Sequence, residues 1–287
     1  MAAAVILAMA ASPNGVADLR GGEELPIANP GFEADPVATN CFQGFIPTGW
    51  ELFDPNGIYD GAVDAVGGLN TQPGGPHFID GAPEGEHVAL VFLDGDIGGG
   101  PMGLTQALDD VLEPDTIYTL SAQVGNIASG QGPPPCDVFG FFDLDGFPGY
   151  QVQLLAGGVV IAQDDNTLAG ALGEGEFGLS TTTVAIDDAH PQLGGPLEVR
   201  LINLNMIDSP EDPGIEVDFD DVQLMTGCLG SGDISGNGNV DGDDVAILVD
   251  VLLEIGVNPM HVIRADVDCS GAADGLDIAA MVYRLFE

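Results

Sequence analysis

The pattern of hydrophobic and polar positions changes near residue 227 of this 287-residue chain. Before that point, apolar and polar residues alternate in short runs separated by glycine, proline, asparagine and aspartate. Alternation with period two is typical of a strand with one buried face. The pattern predicts strands at 85–93, 117–124, 150–161, 197–203 and 216–224. Many short strands between turn residues predict a β-sandwich.

After residue 228 the apolar residues recur with a helical period. Each of two stretches places its apolar side chains on one face, which predicts two amphipathic helices. The first face contains Val245, Leu248, Val249, Leu252 and Leu253, and the second contains Ile278, Met281, Val282, Leu285 and Phe286.

Each predicted helix follows a near-copy of one loop pattern, at 233–244 and 266–277. Oxygen-bearing residues occupy loop positions 1, 3, 5, 9 and 12, and glycine occupies position 6. This is the spacing of an EF-hand calcium loop, in which position 7 adds a backbone carbonyl. The predicted ligands are Asp233, Ser235, Asn237, Asn239, Asp241 and Asp244 in the first copy, and Asp266, Asp268, Ser270, Ala272, Asp274 and Asp277 in the second.

The two loops concentrate carboxylates that repel one another until a divalent cation enters. Calcium is a hard cation that takes six to eight oxygen ligands, so it would offset this repulsion. We therefore expect folding of this segment to be coupled to calcium binding. The alternative is a pair of Asp- and Asn-rich turns that bind no metal.

Aspartate at position 12 and the single helix after each loop resemble the type I dockerin module over the last 55 to 60 residues. The resemblance implies two calcium ions and a cohesin-like partner. Positions 10 and 11 are Gly242-Asp243 and Gly275-Leu276, where dockerins of cellulosomes often have a Ser-Thr pair. Another surface protein, or a capping or dimerising role, is therefore the alternative to cohesin.

The earlier part of the chain resembles the galactose-binding-like jelly-roll of carbohydrate-binding modules. The motifs that carry this resemblance are Ile27-Ala-Asn-Pro-Gly-Phe-Glu33, Thr48-Gly-Trp50, Leu104-Thr-Gln-Ala-Leu108, Tyr118-Thr-Leu-Ser121 and Val217-Asp-Phe-Asp-Asp-Val-Gln-Leu224. The family often holds a structural calcium where the first strand meets the last. The resemblance implies Glu33 and Asp221 (or Asp220) as its ligands, against the alternative of a solvated acidic edge.

The predicted fold class is therefore mainly β: a jelly-roll β-sandwich followed by a small α-helical module with two calcium loops. We place a signal peptide at 1–17, the sandwich at 24–226 and the dockerin-like module at 228–287. The opening apolar run suits a signal peptide, although no basic residue precedes it. A buried strand or helix is the alternative. No later stretch is typical of a membrane span.

The net charge of the chain limits the classes of molecule that it can bind. Four Lys+Arg against 46 Asp+Glu give a formal net charge of −42. Nucleic acid and anionic membrane surfaces repel such a chain. Cations and neutral ligands such as glycans remain.

The chain contains four cysteines, Cys41, Cys136, Cys228 and Cys269. An even number in an exported chain indicates two disulfides, for which three pairings exist. The domain division favours Cys41–Cys136 and Cys228–Cys269. We expect a secreted or cell-surface protein.

No catalytic motif stands out, and 46 acidic residues make any chosen carboxylate pair uninformative. Two interpretations of His77 and His87 are open. They bind a metal together with Asp80 and Glu86, or they are a pair of surface histidines. Trp50 is either a core residue or a ring that stacks on sugar. The sequence thus favours an exported, non-catalytic protein that binds glycan or matrix polysaccharide. The alternatives are a secreted glycan-active hydrolase or lyase, and a structural surface or matrix protein that binds only calcium.

Overall fold

Two antiparallel sheets face each other in the part of the chain before residue 229. The structure is a computed structural model that describes residues 24–286 except 96, 115, 187–188, 208–213, 229, 231, 238, 257 and 271. The predicted signal peptide lies outside the described residues.

The larger sheet has seven strands in the order β10-β7-β12-β5-β4-β2, with β1 paired to β12. Its strands are β1 (Glu24–Leu25), β2 (Phe42–Gly44), β4 (Ala65–Asn70), β5 (His87–Phe92), β7 (Thr116–Asn126), β10 (Glu176–Ile186) and β12 (Glu216–Cys228). The smaller sheet has five strands in the order β3-β6-β11-β8-β9. These are β3 (Glu51–Phe53), β6 (Met102–Val111), β8 (Tyr150–Ala156), β9 (Val159–Asp165) and β11 (Pro196–Asn203). The mainly β sandwich is confirmed.

The main core fills the space between the two sheets. Tyr118, Leu120, Ala122 and Val124, the set whose alternation predicted a strand, point into it from β7. Trp50 is 4% exposed and packs against Phe32, with ring centroids 5.5 Å apart. Trp50 is therefore a core residue, so no tryptophan ring is available for a sugar platform.

A β-bulge in β12 changes which residues face this core. Val217 and Phe219 point inward before the bulge, and Val222 and Leu224 point inward after it. The irregularity lies between Asp220 and Gln223, where the three-residue step on β12 matches a two-residue step on β7. The outward positions before the bulge are consequently the even-numbered residues.

The larger sheet is apolar on its outer face as well. A second cluster there contains Leu69, Phe78, Val88, Leu90, Ile127, Leu144 and Ile215. The residues of 127–149 that follow β7 cover this face and include a short 3₁₀ helix, Cys136–Phe139. A sandwich sheet with one solvated face needs no such second cluster, so this face is the first place to look for a site.

Three helices follow β12: α1 (Gly242–Leu252), α2 (Pro259–Arg264) and α3 (Asp277–Phe286). The two predicted helices correspond to α1 and α3, whereas α2 was not predicted. Leu248, Val251, Ala280 and Met281 form a small core with Ile117 at the start of β7. None of the described helices combines the length and the hydropathy of a membrane span.

Candidate active site

A cavity of about 190 Å³ lies on the outer face of the larger sheet, between the sheet and the segments that cover it. Strands β2, β4, β5 and β12 supply its floor, and the segments 62–64, 77 and 127–144 supply its walls. Its lining is mostly hydrophobic and aromatic, and consists of Phe42, Ala62, Val63, Asp64, Ala65, Leu69, His77, Leu90, Phe92, Ile127, Phe139, Phe142, Leu144 and Glu216. Such a pocket with few polar groups is typical of a small-molecule site.

Aromatic rings form one wall of the cavity. Phe42 contacts Phe139 and Phe142, with ring centroids 5.1 Å and 5.4 Å apart. The disulfide Cys41–Cys136 ties the residue before Phe42 to the 3₁₀ helix that carries Phe139. The wall is therefore cross-linked to β2, and the predicted Cys41–Cys136 pairing is confirmed. The side chain of Cys228 lies outside the described residues, so Cys228–Cys269 stays a prediction.

Two acidic residues of β12 point toward this face. Glu216 and Asp218 alternate with Val217 and Phe219, whose side chains enter the main core. Glu216 lines the cavity. Asp218 is fully buried, and neither of its carboxyl oxygens has a hydrogen-bond partner among the described residues. A buried polar group without a partner is rare and points to function.

The cover over Asp218 is aromatic. Asp218 is paired with Leu90 on β5 and with Gly125 on β7. The rings of Phe78 and Phe177 stack over Gly125 with centroids 4.3 Å apart. A Cβ atom at Gly125 would lie 2.6 Å from one ring and 2.9 Å from the other, so only glycine lets both rings approach the strand.

Burial raises the pKa of both acids. For Glu216, desolvation by burial is the cause. For Asp218, burial is the larger cause, and the nearby charge of Glu216 raises the pKa further. Both groups are therefore neutral carboxylic acids at neutral pH, so each can donate a proton.

Asp220 is the third acid on this face of β12. Burial raises its pKa to about 8, although hydrogen bonds from the backbone N–H groups of Glu84 and Asp221 oppose the rise. Those N–H groups donate to its carboxyl oxygens over 2.8 Å and 2.7 Å. Because these contacts anchor Asp220, whereas Asp218 has none among the described residues, we assign Asp220 a structural role.

Asp64 on the cavity wall differs from the acids on β12. Its carboxylate accepts hydrogen bonds from the backbone N–H groups of Asp60, Asp94 and Gly95, at 2.8 Å, 3.1 Å and 2.8 Å. These contacts fix the turn between β5 and β6, so we assign Asp64 a structural role.

The histidines His77 and His87 are both buried and lie in different surroundings. The Nδ1 atom of His77 lies 3.0 Å from the carbonyl oxygen of Ala128, and burial lowers the pKa of His77. The Nδ1 atom of His87 lies 2.6 Å from Glu33, and its Nε2 atom accepts from the backbone of Val37. The two rings therefore do not form the surface pair that the sequence suggested.

The first predicted metal loop forms a network of hydrogen bonds within the protein. Asp233 accepts from the backbone N–H groups of Gly236 and Asn237 at 2.7 Å and 3.0 Å. Asp244 accepts from the N–H groups of Ser235 and Asp241 at 2.8 Å and 2.9 Å. The latter contact completes a capping box at the start of α1. Asn237 and Asn239 bond to each other, and among the described residues this loop gathers no group of three carboxylates.

The second predicted metal loop brings three carboxylates together. One oxygen from each of Asp266, Asp268 and Asp277 lies within 4.8 Å of the others. Asp277 also accepts from the N–H groups of Asp268 and Asp274 at 3.0 Å and 2.6 Å. Burial and then the charge of Asp268 raise the pKa of Asp277. The Ser270 hydroxyl donates to the carbonyl oxygen of Ala272 over 3.2 Å. The structure therefore supports the predicted calcium ligands only as far as this cluster of three carboxylates.

The third predicted cation site joined Glu33 and Asp221. The carboxylate of Glu33 accepts from the backbone N–H groups of Glu86 and His87 and from the His87 ring. Burial raises the pKa of Glu33, but these hydrogen bonds outweigh burial and lower it overall. Asp221 accepts from Gln223 over 2.7 Å. Protein donors thus hold the Glu33 carboxylate, and one donor reaches Asp221. Calcium binding by these two residues stays a prediction.

Comparison with known proteins identifies the sandwich. The family model of HpiC1-like cyclases, described as HpiC1 cyclase, matches residues 23–225. A Stig cyclase, Fisc, from Fischerella sp. TAU in complex with (3Z)-3-(1-methyl-2-pyrrolidinylidene)-3H-indole is 37% identical, with a TM-score of 0.61 over 71% of this chain and 98% of that chain.

Two further solved structures are similar. A cyclase from the same organism in complex with 4-(1H-indol-3-yl)butan-2-one is 38% identical, with a TM-score of 0.62 over 71% of this chain and 97% of that chain. The apo form of a cyclase from Fischerella sp. is 36% identical, with a TM-score of 0.62 over 72% of this chain and 97% of that chain. Among proteins with curated descriptions, no match was found.

These matches correct the functional interpretation of the sequence. The sandwich is that of a cyclase family, so the resemblance to carbohydrate-binding modules and the prediction of a non-catalytic glycan binder are wrong. The expectation that the protein is not an enzyme is corrected as well, because the matched family is one of cyclases. The motifs misled because short motifs report the framework of a sandwich, and a framework does not define the chemistry that it carries.

The dockerin and EF-hand resemblance is also wrong. The family model ends at residue 225, and the comparisons give 228–287 no such relationship. The physical reason is that Asp, Asn and Gly at fixed offsets also build helix caps. Asp241 and Asp244 cap α1 with their own side chains. The same residue types therefore satisfy a calcium-loop pattern and a capping pattern.

The residues that the sequence missed are Glu216 and Asp218. Acidic side chains alternate there with Val217 and Phe219, which predicts a strand with one solvated face. The chain gives one indication against this interpretation, because 127–149 contains enough apolar residues to cover that face. Which strand it covers follows only from the fold.

Removing the cross-link should loosen the aromatic wall. In the double variant Cys41→Ser, Cys136→Ser, we expect the free energy of unfolding to fall by roughly 2–5 kcal/mol, because the unfolded chain regains the entropy of a long loop. Limited proteolysis should then cut within 130–142. Denaturant unfolding measures the first effect. Phe141→Ala is the control, since Phe141 is 67% exposed and does not line the cavity. Unchanged stability and protease resistance in the double variant would contradict the role of the bridge.

The buried acids should lower stability as the pH rises. An acid whose pKa is raised in the folded state loses stability between its unfolded pKa, near 4, and its folded pKa. Glu216→Gln and Asp218→Asn remove that ionisation. We expect both variants to have the Tm of the wild type at pH 4 and a higher Tm at pH 8. The increase should be roughly 2–4 °C for each kcal/mol by which the substitution raises the free energy of unfolding. A calorimetric pH series measures the difference, and a gap that stays constant from pH 4 to pH 8 would refute this explanation.

Proposed function

Because the chain belongs to the HpiC1-like cyclase family, we propose that it closes a ring in an apolar, indole-bearing substrate held in the cavity on the larger sheet. Glu216 and Asp218 together supply the acid that starts the reaction. The observation that carries the proposal is the neutral Glu216 carboxyl in the lining of an aromatic cavity, with the buried, neutral Asp218 two residues further along the same face of β12.

The walls of the cavity suit an aromatic hydrocarbon ligand. Phe42, Phe92, Phe139 and Phe142 offer ring faces and edges for offset or T-shaped stacking with an indole. Two related cyclases are described in complex with indole compounds. The same chemistry of recognition supports an indole in this cavity.

The acid pair can start a ring closure by protonating a carbon–carbon double bond. The O–H bond of the acid breaks, a C–H bond forms, and the π electrons leave a cation on the neighbouring carbon. A nearby π bond of the substrate attacks that carbon, so a C–C bond forms and the ring closes. The aromatic walls stabilise the cation through their π faces and keep water away.

The two acids divide the work by position. Glu216 lines the cavity and is placed to reach the substrate. Asp218 is its neighbour on the same face, and its burial without a hydrogen-bond partner keeps a second proton beside the first. After transfer, the negative charge on the pair lies close to the substrate cation and stabilises it.

Removing either acid should slow ring closure strongly without unfolding the protein. For Asp218→Asn and Glu216→Gln, we expect kcat to fall by about 100-fold or more, the usual contribution of general acid catalysis. Product formation from indoles with an alkenyl chain at C3, followed by chromatography and mass spectrometry, measures this. Calorimetric binding of 4-(1H-indol-3-yl)butan-2-one reports whether the cavity stays intact.

Asp109→Asn is the matched control, because Asp109 is exposed on β6 of the other sheet. It should keep wild-type kcat. Full turnover by both acid variants would sink the assignment of the acid. Failure of the wild-type protein to cyclise any alkenyl indole, or to bind the indole ketone, would reject the proposed function itself.

We also propose that a calcium ion binds at the cluster of Asp266, Asp268 and Asp277. Three carboxylate oxygens within 4.8 Å of one another match the hard oxygen ligands of calcium. Ser270, Asp274 and the carbonyl of Ala272 lie on the same loop and could complete the shell. A cation here would offset repulsion at the start of α3 and so stabilise the helical segment.

Calcium titration tests this proposal directly. We expect Asp268→Asn to bind one calcium ion fewer than the wild type in a calorimetric titration of chelator-treated protein, since it removes one of three charges. Asp250→Asn on the exposed face of α1 is the control and should leave the titration unchanged. Identical titrations for Asp268→Asn and the wild type would contradict the site.

A further inference from the structure

A ring closure started by an acid also needs a base, and this inference rests on the proposed function. When the cation is attacked by an aromatic carbon, that carbon carries both the new C–C bond and its original hydrogen. The ring regains aromaticity only when the C–H bond breaks and its electrons return to the π system. Some group must accept this proton, and water is scarce in an aromatic cavity.

The lining of the cavity offers few acceptors. Its titratable members are Asp64, His77 and Glu216. Three backbone N–H groups already engage the oxygens of Asp64. Glu216 is neutral before the reaction and supplies the incoming proton. His77 is the remaining side chain of the lining that has a basic lone pair before the reaction starts.

The contacts of His77 define which ring nitrogen is basic. The Ala128 carbonyl oxygen, 3.0 Å from Nδ1, can only accept, so Nδ1 carries the hydrogen. In the neutral ring, Nε2 then has a bare lone pair. Burial lowers the pKa of His77, which keeps the ring neutral at pH 7.

The backbone around His77 holds the ring in place. The N–H of Ala128 donates to the carbonyl of His77 over 3.3 Å, so a pair of hydrogen bonds joins residues 77 and 128. Gly130 lies against the imidazole, and a Cβ atom there would be 3.2 Å from the ring. Substrate binding therefore meets an imidazole whose orientation is already fixed.

We propose that His77 is a catalytic base that takes up the proton released when the aromatic ring of the substrate is alkylated. In this step the substrate C–H bond breaks, Nε2 gains the proton, and the substrate becomes neutral. The acid pair has lost one proton and His77 has gained one, so the reaction is an isomerisation. Transfer of the proton back to the acid pair through solvent resets the site.

The test compares His77→Gln and His77→Ala with the control His190→Gln, which alters a partly exposed histidine that does not line the cavity. We expect kcat of both His77 variants to fall by about 100-fold. Added imidazole should restore part of the activity of His77→Ala. Products in which the cation has lost a proton from an alkyl position, or has been captured by water, should increase.

The pH profile separates a base from a merely structural residue. Wild-type kcat should fall as the pH drops below the lowered pKa of His77, because the imidazolium cannot accept a proton. It should also fall at alkaline pH as the acid pair ionises. His77→Gln should lose the acidic limb and keep the alkaline limb. Glu216 and Asp64 are the other titratable groups that face the same cavity, and neither changes in this variant.

The outcomes distinguish the base from the proposed function. Retention of kcat within threefold by His77→Gln, or an unchanged acidic limb, overturns the role of His77. Loss of activity without imidazole rescue in His77→Ala, in protein that still binds the indole ketone, overturns it as well. In each case, inactivity of Asp218→Asn leaves the cyclase proposal standing, whereas an inactive wild type removes both.

Discussion

The structure depends on keeping two carboxyl groups of β12 away from water. Glu216 and Asp218 point from the larger sheet into an apolar region that the segment 127–149 covers. Desolvation holds both as neutral acids, and the charge of one would raise the pKa of the other. The aromatic wall, the disulfide and the glycine on β7 all serve this exclusion of water. The chemistry of the site is thus a consequence of how its cover packs.

The two faces of the larger sheet therefore have different roles. One stabilises the fold, and the other carries the candidate site. The core between the sheets is built from side chains such as Leu120 and Phe219 that are completely buried. Burying acids on the other face of the same sheet costs free energy, and the main core offsets that cost. One sheet therefore carries apolar packing on both faces for different reasons. On one face it stabilises the fold, and on the other it sets the protonation state of two side chains.

The sequence predicted the sandwich well because alternation is a local property. The strands around Tyr118–Val124 and Val217–Leu224 and the helices α1 and α3 follow from short-range patterns. The Cys41–Cys136 bridge followed from the domain division. The site could not be predicted in the same way, because an alternating strand does not reveal whether its polar face meets water or a distant loop. The calcium-loop pattern failed as a family marker for a related reason: the spacing of Asp and Gly at helix starts is shared by capping residues.

The bulge between Asp220 and Gln223 has a consequence for how this fold can change. The extra residue reverses the phase of the side chains, so that odd positions face the core before it and even positions face the core after it. The core-facing side chains therefore have odd numbers in the segment that carries the acids and even numbers in the segment that pairs with β1. Both segments still place apolar side chains in the core. Lineages that shortened this strand by one residue would bring carboxyls into the hydrocarbon interior. The bulge therefore makes the two ends of β12 interdependent in evolution. An insertion or deletion in one end would have to be compensated in the other.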